Sequence, residues 1–492
     1  MVLIDILVNS SFFPAHYFAL LFFSLFIIYE YIASTLARNK LASIPALNSW
    51  PTSNPLWLRL PFLAEYYIAW RFFVDSRVLI EEGCRKYPST PFKVPTFEGW
   101  LVILNGPEAL EDIRKATDED FSVLLAINDS LLKMEYTIHP KLHMNLYHIR
   151  TIRTSLTRNI GTKLPETLDE IRCAFQELVP PSHDWTEPID IVSNLEDIIV
   201  RVSNRYYVGL PLCRNSDYCN LIFESARSVL VSAQIIGMFP RFLQPIAGRI
   251  FTMRKSNARR AVRHLAPLIQ ERRCMRKEAR PLGFIYALGY LAANPQLAGL
   301  LRDEIEAATR NGWNKAALNQ VPRLDSFLKE ALRHSGSLLG APRTSLRDFP
   351  LTGSRTVIPA HTKVAVANYR THFDPVLYPE PAVFNPVRFY DPEGGNKEGY
   401  NNSQMVTPTS DWPFFGVGKH TCPGRFFVVN EIKTLLAHVL VTYDVKFHGD
   451  PDFNGSERGA ARVPPSAGYW AGITLLLDAR LRKLTFRKRR DI

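Results

Sequence analysis

The chain has 492 residues, of which 46% are hydrophobic and 22% are charged. This composition is that of a globular protein and excludes an intrinsically disordered polymer. A formal net charge of +12 is compatible with a nucleic acid, an anionic membrane or an acidic protein as partner. Lys and Arg are scattered except in the C-terminal tail, and no motif that reads DNA or RNA is present, so we expect no nucleic-acid binding.

The cysteines form no CxxC pair and have no spacing typical of zinc ligands. They are Cys84, Cys173, Cys213, Cys219, Cys274 and Cys422. A disulfide framework is therefore not expected, and the pattern is typical of a reducing compartment.

The first predicted element is an apolar run from Phe12 to Tyr29 that carries no formal charge. About 18 apolar residues are close to the minimum for crossing a bilayer. A cleaved signal peptide and a buried helix are the alternatives, but no basic segment precedes the run and no small-residue cleavage site follows it. We therefore predict a membrane anchor over residues 1–34, a Pro-rich linker over residues 35–62 and a catalytic domain over residues 63–492 that faces the cytosol.

Two short strands are predicted between Phe92 and Leu104, and Pro107 begins a helix. Helices are then predicted at Glu166–Leu178, Ile189–Tyr207, Ser256–Arg273, Pro295–Thr309, Arg323–His334 and Arg425–Val441. Strand and loop composition extends from Leu351 to Phe389, and a last strand is predicted at Ile473–Phe486. This order predicts a mainly α fold with minor β sheets.

The segment from Pro413 to Phe426, PFFGVGKHTCPGRF, has the features of a loop that holds a thiolate. A helix beginning at Pro423 would direct its N-terminal dipole at the Cys422 sulfur and lower the thiol pKa. The alternative of a dinucleotide-binding loop is disfavoured, because Thr421 stands where a third Gly would be needed. A lone buried cysteine is usually structural, but here the surrounding residues favour chemistry.

Other residues of this segment suit a flat macrocycle. Gly418 and Gly424 would let the backbone pass close to it, and Phe415 would shield the sulfur from water. His420 is a candidate donor to a carboxylate of the cofactor.

The segment resembles the haem-binding loop Phe-x-x-Gly-x-Arg-x-Cys-x-Gly of the cytochrome P-450 family, with His420 in place of the usual Arg. The likeness is greatest to fungal microsomal members of secondary metabolism such as ent-kaurene oxidase. It implies a haem b cofactor whose iron is bound by Cys422, the catalytic and metal-ligating residue. It also implies that Phe415, Gly418, His420 and Gly424 bind the cofactor.

Further family landmarks occur in the expected order. Glu330 and Arg333 form a Glu-x-x-Arg pair on one helical face, which by itself is usually a surface pair. The resemblance implies that this pair locks onto Arg388 and braces the haem loop. It also aligns Arg343 with a residue that meets a haem propionate, the alternative being a solvated side chain. Leu338–Ala341 would line the pocket, and His148 or Arg153 would take the place of the family's propionate-binding helix residues.

The family's long central helix, with its acid–alcohol pair that relays protons to bound oxygen, is not found. Leu268–Arg273 resembles the end of the preceding helix and Ile285–Pro295 the far end of the central one. We therefore suspect an internal deletion near residues 274–284, where Pro281 and Gly283 also make a poor helix. A mispredicted splice junction or a degraded gene would explain it.

The resemblance implies a monooxygenase that oxidises an apolar secondary metabolite such as a terpenoid. Electrons would come from NADPH through NADPH-cytochrome P-450 reductase, at the lipid bilayer of the endoplasmic reticulum. Two alternatives stay open: a catalytically dead haem-binding or membrane-associated remnant, and a family member that rearranges or dehydrates its substrate without inserting oxygen.

Overall fold

The structure is a computed structural model that describes residues 15–47, 61–140, 152–271, 282–335, 338–391, 404–448 and 483–489. Its helices are α1 (Ala15–Lys40), α2 (Pro61–Val74), α3 (Ser76–Lys86), α4 (Pro107–Lys115), α5 (Val123–Ile127), α6 (Met134–Thr137), α7 (Ile160–Leu178), α8 (Ile191–Tyr207), α9 (Ser216–Gly237), α10 (Gln244–Ile250), α11 (Arg254–Glu271), α12 (Leu282–Ala293), α13 (Leu297–Thr309), α14 (Lys315–Leu318), α15 (Pro322–His334), α16 (Asn368–His372) and α17 (Arg425–Thr442). Its strands are β1 (Phe92–Thr96), β2 (Gly99–Leu104), β3 (Phe121–Ser122), β4 (Ile189–Asp190), β5 (Gly340–Ser345), β6 (Phe349–Pro350), β7 (Val357–Ile358), β8 (Lys363–Val366), β9 (Tyr443–Phe447) and β10 (Lys483–Lys488).

The largest sheet has the strand order β1-β2-β8-β5-β3, and a smaller sheet has the order β4-β10-β9. The β1–β2 hairpin closes where Thr96 pairs with Gly99, and β2 then pairs in parallel with β8. The largest apolar core is formed mainly by α7, α8, α12, α13, α15 and α17. The prediction of a mainly α fold with minor β sheets is confirmed.

Element ends differ from the predicted ones where burial extends an apolar face. Helix α7 begins at Ile160 instead of Glu166, because Ile160 and Leu164 are buried and continue its apolar face. The helix predicted from Ile189 is preceded by strand β4, which pairs with β10. Of the predicted last strand, the part before Lys483 lies outside the described residues, and β10 continues past its predicted end to Lys488.

The N-terminal region is packed more closely on the body than a linker would be. Helix α1 reaches Lys40, and the side chains of Leu41, Ile44 and Leu47 are buried. Ala46 forms a parallel bridge with Lys93 of β1. Residues 41–47 of the predicted linker therefore pack beside β1, since their apolar residues recur every three positions and are buried there.

Among the described residues, no helix meets the length and hydropathy needed to cross a bilayer. The predicted apolar run begins at Phe12, outside the described residues, and the rest of it lies in α1. The single N-terminal transmembrane helix of the predicted fold is thus not shown.

The region of the suspected deletion is described only at its end. Helix α11 ends at Glu271 and α12 begins at Leu282, and residues 272–281 lie outside the described residues. The prediction of a poor helix is wrong for Leu282–Phe284, because Phe284 is fully buried in the main core and stabilises this turn. The deletion itself stays a prediction.

Candidate active site around Cys422

The loop before α17 folds back on itself so that Cys422 lies next to Phe415. The Cys422 N–H donates to the Phe415 carbonyl over 2.8 Å. Gly416 and Gly418 make this possible with φ angles of 78° and 68°, which favour glycine. A short 3₁₀ turn covers Gly418–His420. Helix α17 begins at Arg425, as the helical pattern of Arg425–Val441 predicts and not at Pro423, with Gly424 as its N-cap.

The sulfur of Cys422 lies at the N-terminus of α17. Burial raises the pKa of this thiol, whereas N–H groups of Gly424 and Arg425 and the Arg425 guanidinium act to lower it. The predicted donors are therefore present and act in the predicted direction, although burial outweighs their effect on the pKa of the free thiol. A metal ion bound to sulfur displaces its proton outright, and these donors then stabilise the thiolate.

Gly418 makes a close approach to protein backbone. A Cβ atom at this position would lie 2.5 Å from the carbonyl oxygen of Arg114, near the end of α4. On the other side of the loop, Phe415 packs edge-on against Trp412 and Phe414, with ring centroids 5.8 and 5.2 Å apart. The loop is thus held between α4 and an aromatic cluster.

Arg343 is brought beside the loop by an irregularity in β5. The pairing of β5 with β8 shifts register between Gly340 and Arg343, and Ala341 adopts a φ of 46°. Such bulges re-aim side chains near active sites. Leu338, Leu339 and Ala341 are buried here, but they pack in the apolar cores beside the sheet.

The Arg343 guanidinium is buried with too little countercharge. Its side chain donates to the Pro342 carbonyl over 3.0 Å. Burial lowers its pKa to about 10, and the charge of Asp118 offsets this only in part. Because an isolated buried charge is costly, this site fits an anionic group such as a haem propionate.

His420 lies near the same position. Its Nε2 is 2.5 Å from Asp118 Oδ1, without the alignment of a directed hydrogen bond. Burial and the charge of Arg343 lower the pKa of His420, while Asp118 acts to raise it. Arg153 reaches the loop from a separate turn, where its guanidinium lies 3.4 Å from the Lys419 carbonyl. His148 lies outside the described residues.

Glu330, Arg333 and Arg388 meet in the protein interior. Arg333 donates to both carboxylate oxygens of Glu330 over 2.8 Å, and Arg388 donates to Oε1 over 3.1 Å. The side chains of Glu330 and Arg333 are fully buried. The exposed-pair alternative is therefore wrong for this pair. Arg388 also donates to the carbonyls of Pro379 and Val383, which fixes the preceding loop.

This charged group connects to the Cys422 loop through residues that sequence reasoning missed. Lys329, next to Glu330, lies over the rings of Phe389 and Trp412 at 4.5 and 5.0 Å. Trp412 in turn contacts Phe415, as described above. The aromatic residues around Lys329 are distant in sequence, so no local pattern predicts this contact and only the fold shows it.

The sequence is similar to those of known proteins. The family described as Cytochrome P450 matches residues 282–469. The chain is 35% identical to Cytochrome P450 monooxygenase 151 of Postia placenta, over 86% of this chain and 93% of that relative. It is 30% identical to Cytochrome P450 monooxygenase CYP512U6 of Ganoderma lucidum, over 78% of this chain and 83% of that relative.

A solved structure shares the fold. The retinoic acid bound cyanobacterial CYP120A1 superposes with a TM-score of 0.58 at 16% identity, covering 85% of this chain and 96% of that one.

Proposed function

This chain belongs to the cytochrome P450 monooxygenase family, and we propose that Cys422 binds the iron of haem b in it. The observation that carries the proposal is the Cys422 loop, where backbone N–H groups converge on a largely but not fully buried sulfur. The Arg343 guanidinium beside this loop is buried with too little negative charge around it, which supports an anionic cofactor. Both features come from this chain's own residues.

Haem ligated by a thiolate supplies the iron centre at which dioxygen is activated, and the ligand favours O–O cleavage. Cys422 anchors the cofactor, while Phe415 and its aromatic neighbours exclude water from the sulfur. Arg343 and His420 bind propionates, and Gly418 and Gly424 let the backbone pass close to the flat macrocycle. Glu330, Arg333 and Arg388 act at a distance, because they brace the segment that supports the loop.

The proposal extends to substrate and partners. The substrate is an apolar secondary metabolite, a terpenoid or a related compound, as the resemblance to ent-kaurene oxidase implies. Electrons come from NADPH through NADPH-cytochrome P-450 reductase, and the net charge of +12 suits an acidic partner surface. Exposed Ile28, Tyr31, Ile32 and Leu36 on α1 support contact with the endoplasmic reticulum membrane.

Replacement of the Cys422 sulfur tests whether this residue binds the iron. Cys422→Ser removes the thiolate, so the reduced protein with carbon monoxide should lose the absorbance maximum characteristic of thiolate-ligated haem. Cys173→Ser is the matched control, since Cys173 is also a partly exposed free cysteine. The proposal fails if both variants keep that maximum, or if the unsubstituted protein binds no haem, in which case the remnant alternative stands.

A further inference from the structure

The turn after α4 lies against the Cys422 loop and is itself rigidly held. Asp120 accepts hydrogen bonds from the Thr117 N–H and hydroxyl, each over 2.8 Å. Arg347 donates to the other carboxylate oxygen of Asp120 over 2.8 Å. The turn is thus fixed to the start of the chain segment that follows β5, and Asp118 projects from it.

Asp118 faces the basic side of the loop. One oxygen lies 2.5 Å from His420 Nε2, and the other accepts from the Lys419 ammonium. The same carboxylate is the countercharge felt by buried Arg343. The charge of Asp118 therefore acts on three basic side chains, two that it contacts on the loop and one on β5.

A surface ion pair is the ordinary interpretation of such a contact, and it describes the bond to Lys419, whose side chain is 67% exposed. The contact with His420 is different. The His420 side chain is 27% exposed, and its Nε2 atom is shielded from solvent. The backbone on both sides is also fixed, because Gly418 abuts Arg114 at the end of α4.

We propose that Asp118 is a positioning residue that orients His420 toward a haem propionate. A carboxylate against Nε2 favours the imidazolium form of the ring, in which Nδ1–H is left to donate to the cofactor. Asp118 thereby supports a histidine where the family has the longer, always charged arginine. This inference rests on the proposed haem site.

The test measures haem dissociation from the ferric full-length protein into excess apomyoglobin. Asp118→Asn should release haem about tenfold faster, the lower range for loss of an outer partner. The thiolate signature of the reduced carbon monoxide complex should persist, because Cys422 is untouched. Glu119→Gln is the matched control: it removes a charge from the same turn, but Glu119 is 83% exposed and faces Arg347.

Two further variants separate the partners of Asp118. Lys419→Gln should leave haem release unchanged. In a His420→Ala background, Asp118→Asn should add nothing, because Asp118 acts through His420. If Asp118→Asn releases haem at the same rate as Glu119→Gln, the positioning role is wrong while the haem site stands. The same holds if Asp118→Asn releases haem more slowly, because the Asp118 carboxylate would then compete with the propionate for His420. If the unsubstituted protein holds no haem, both fall.

Discussion

At the scale of single residues, two Glu-x-x-Arg pairs show that a spacing motif does not reveal whether its side chains are buried. Glu111 and Arg114 form one on α4, with side chains 37% and 48% exposed. Glu330 and Arg333 form the other and are fully buried. Both pairs have the same i,i+3 geometry, but only the second is desolvated and shared with Arg388. Desolvation decides the energetic outcome, because a buried charge left without its partner is costly.

Glu330→Gln should therefore lower the free energy of unfolding by about 3–5 kcal/mol, since Arg333 and Arg388 are left without their carboxylate. Urea unfolding at neutral pH measures this. Glu111→Gln is the control and should leave the unfolding curve unchanged. Similar losses in both variants would show that the buried group is no more stabilising than a surface pair.

The same carboxylate should shape stability in acid. Burial acts to raise the Glu330 pKa, but hydrogen bonds from Arg333 and His334 outweigh it and lower the pKa from 4.5 to about 2. Because the folded value is depressed, the contribution is complete above about pH 4.5 and is lost as the pH falls through about 2. The unfolding free energy of Glu330→Gln should depend less on pH across this window.

At the scale of elements, the contact between α4 and the Cys422 loop depends on Gly418. Gly418→Ala places a methyl group in the left-handed region and against the Arg114 carbonyl. Gly416→Ala introduces the same backbone strain, but its methyl would lie 3.9 Å from the nearest backbone oxygen. Gly418→Ala should cost about 1–3 kcal/mol more, measured by urea unfolding, because only there must packed backbone move. If both variants lose the same unfolding free energy, the contact between Gly418 and Arg114 does not contribute to the stability of the loop.

Elements with a contiguous signal were predictable from the sequence. The β1–β2 hairpin lies between Phe92 and Leu104 as expected, and the Cys422 loop is a single unbroken motif. Contacts between distant segments could not be predicted. Ala46 pairs with β1 although its surroundings have the composition of a linker, and no residue type near Ala341 indicates the bulge in β5. Asp118 near His420 is such a contact as well, since chain topology alone brings them together.

At the scale of the whole molecule, the short connection between α11 and α12 bears on oxygen chemistry. Only residues 272–281 separate Glu271 from Leu282, and the family's acid–alcohol pair is absent from the sequence there. The predicted loss of the proton relay would leave oxygen reduction poorly coupled to substrate oxidation. In reconstitution with the reductase, hydrogen peroxide should therefore account for most of the NADPH consumed.

Full-length transcript sequencing supplies the control for this prediction. If a message carries extra codons between Glu271 and Leu282, the longer protein should couple NADPH consumption to product, whereas the present chain should not. Stoichiometric product from the present chain would show that another group delivers the protons. Turnover of a substrate without any NADPH or oxygen consumption would instead favour the rearrangement or dehydration alternative, because that chemistry needs the thiolate-ligated haem but no proton relay.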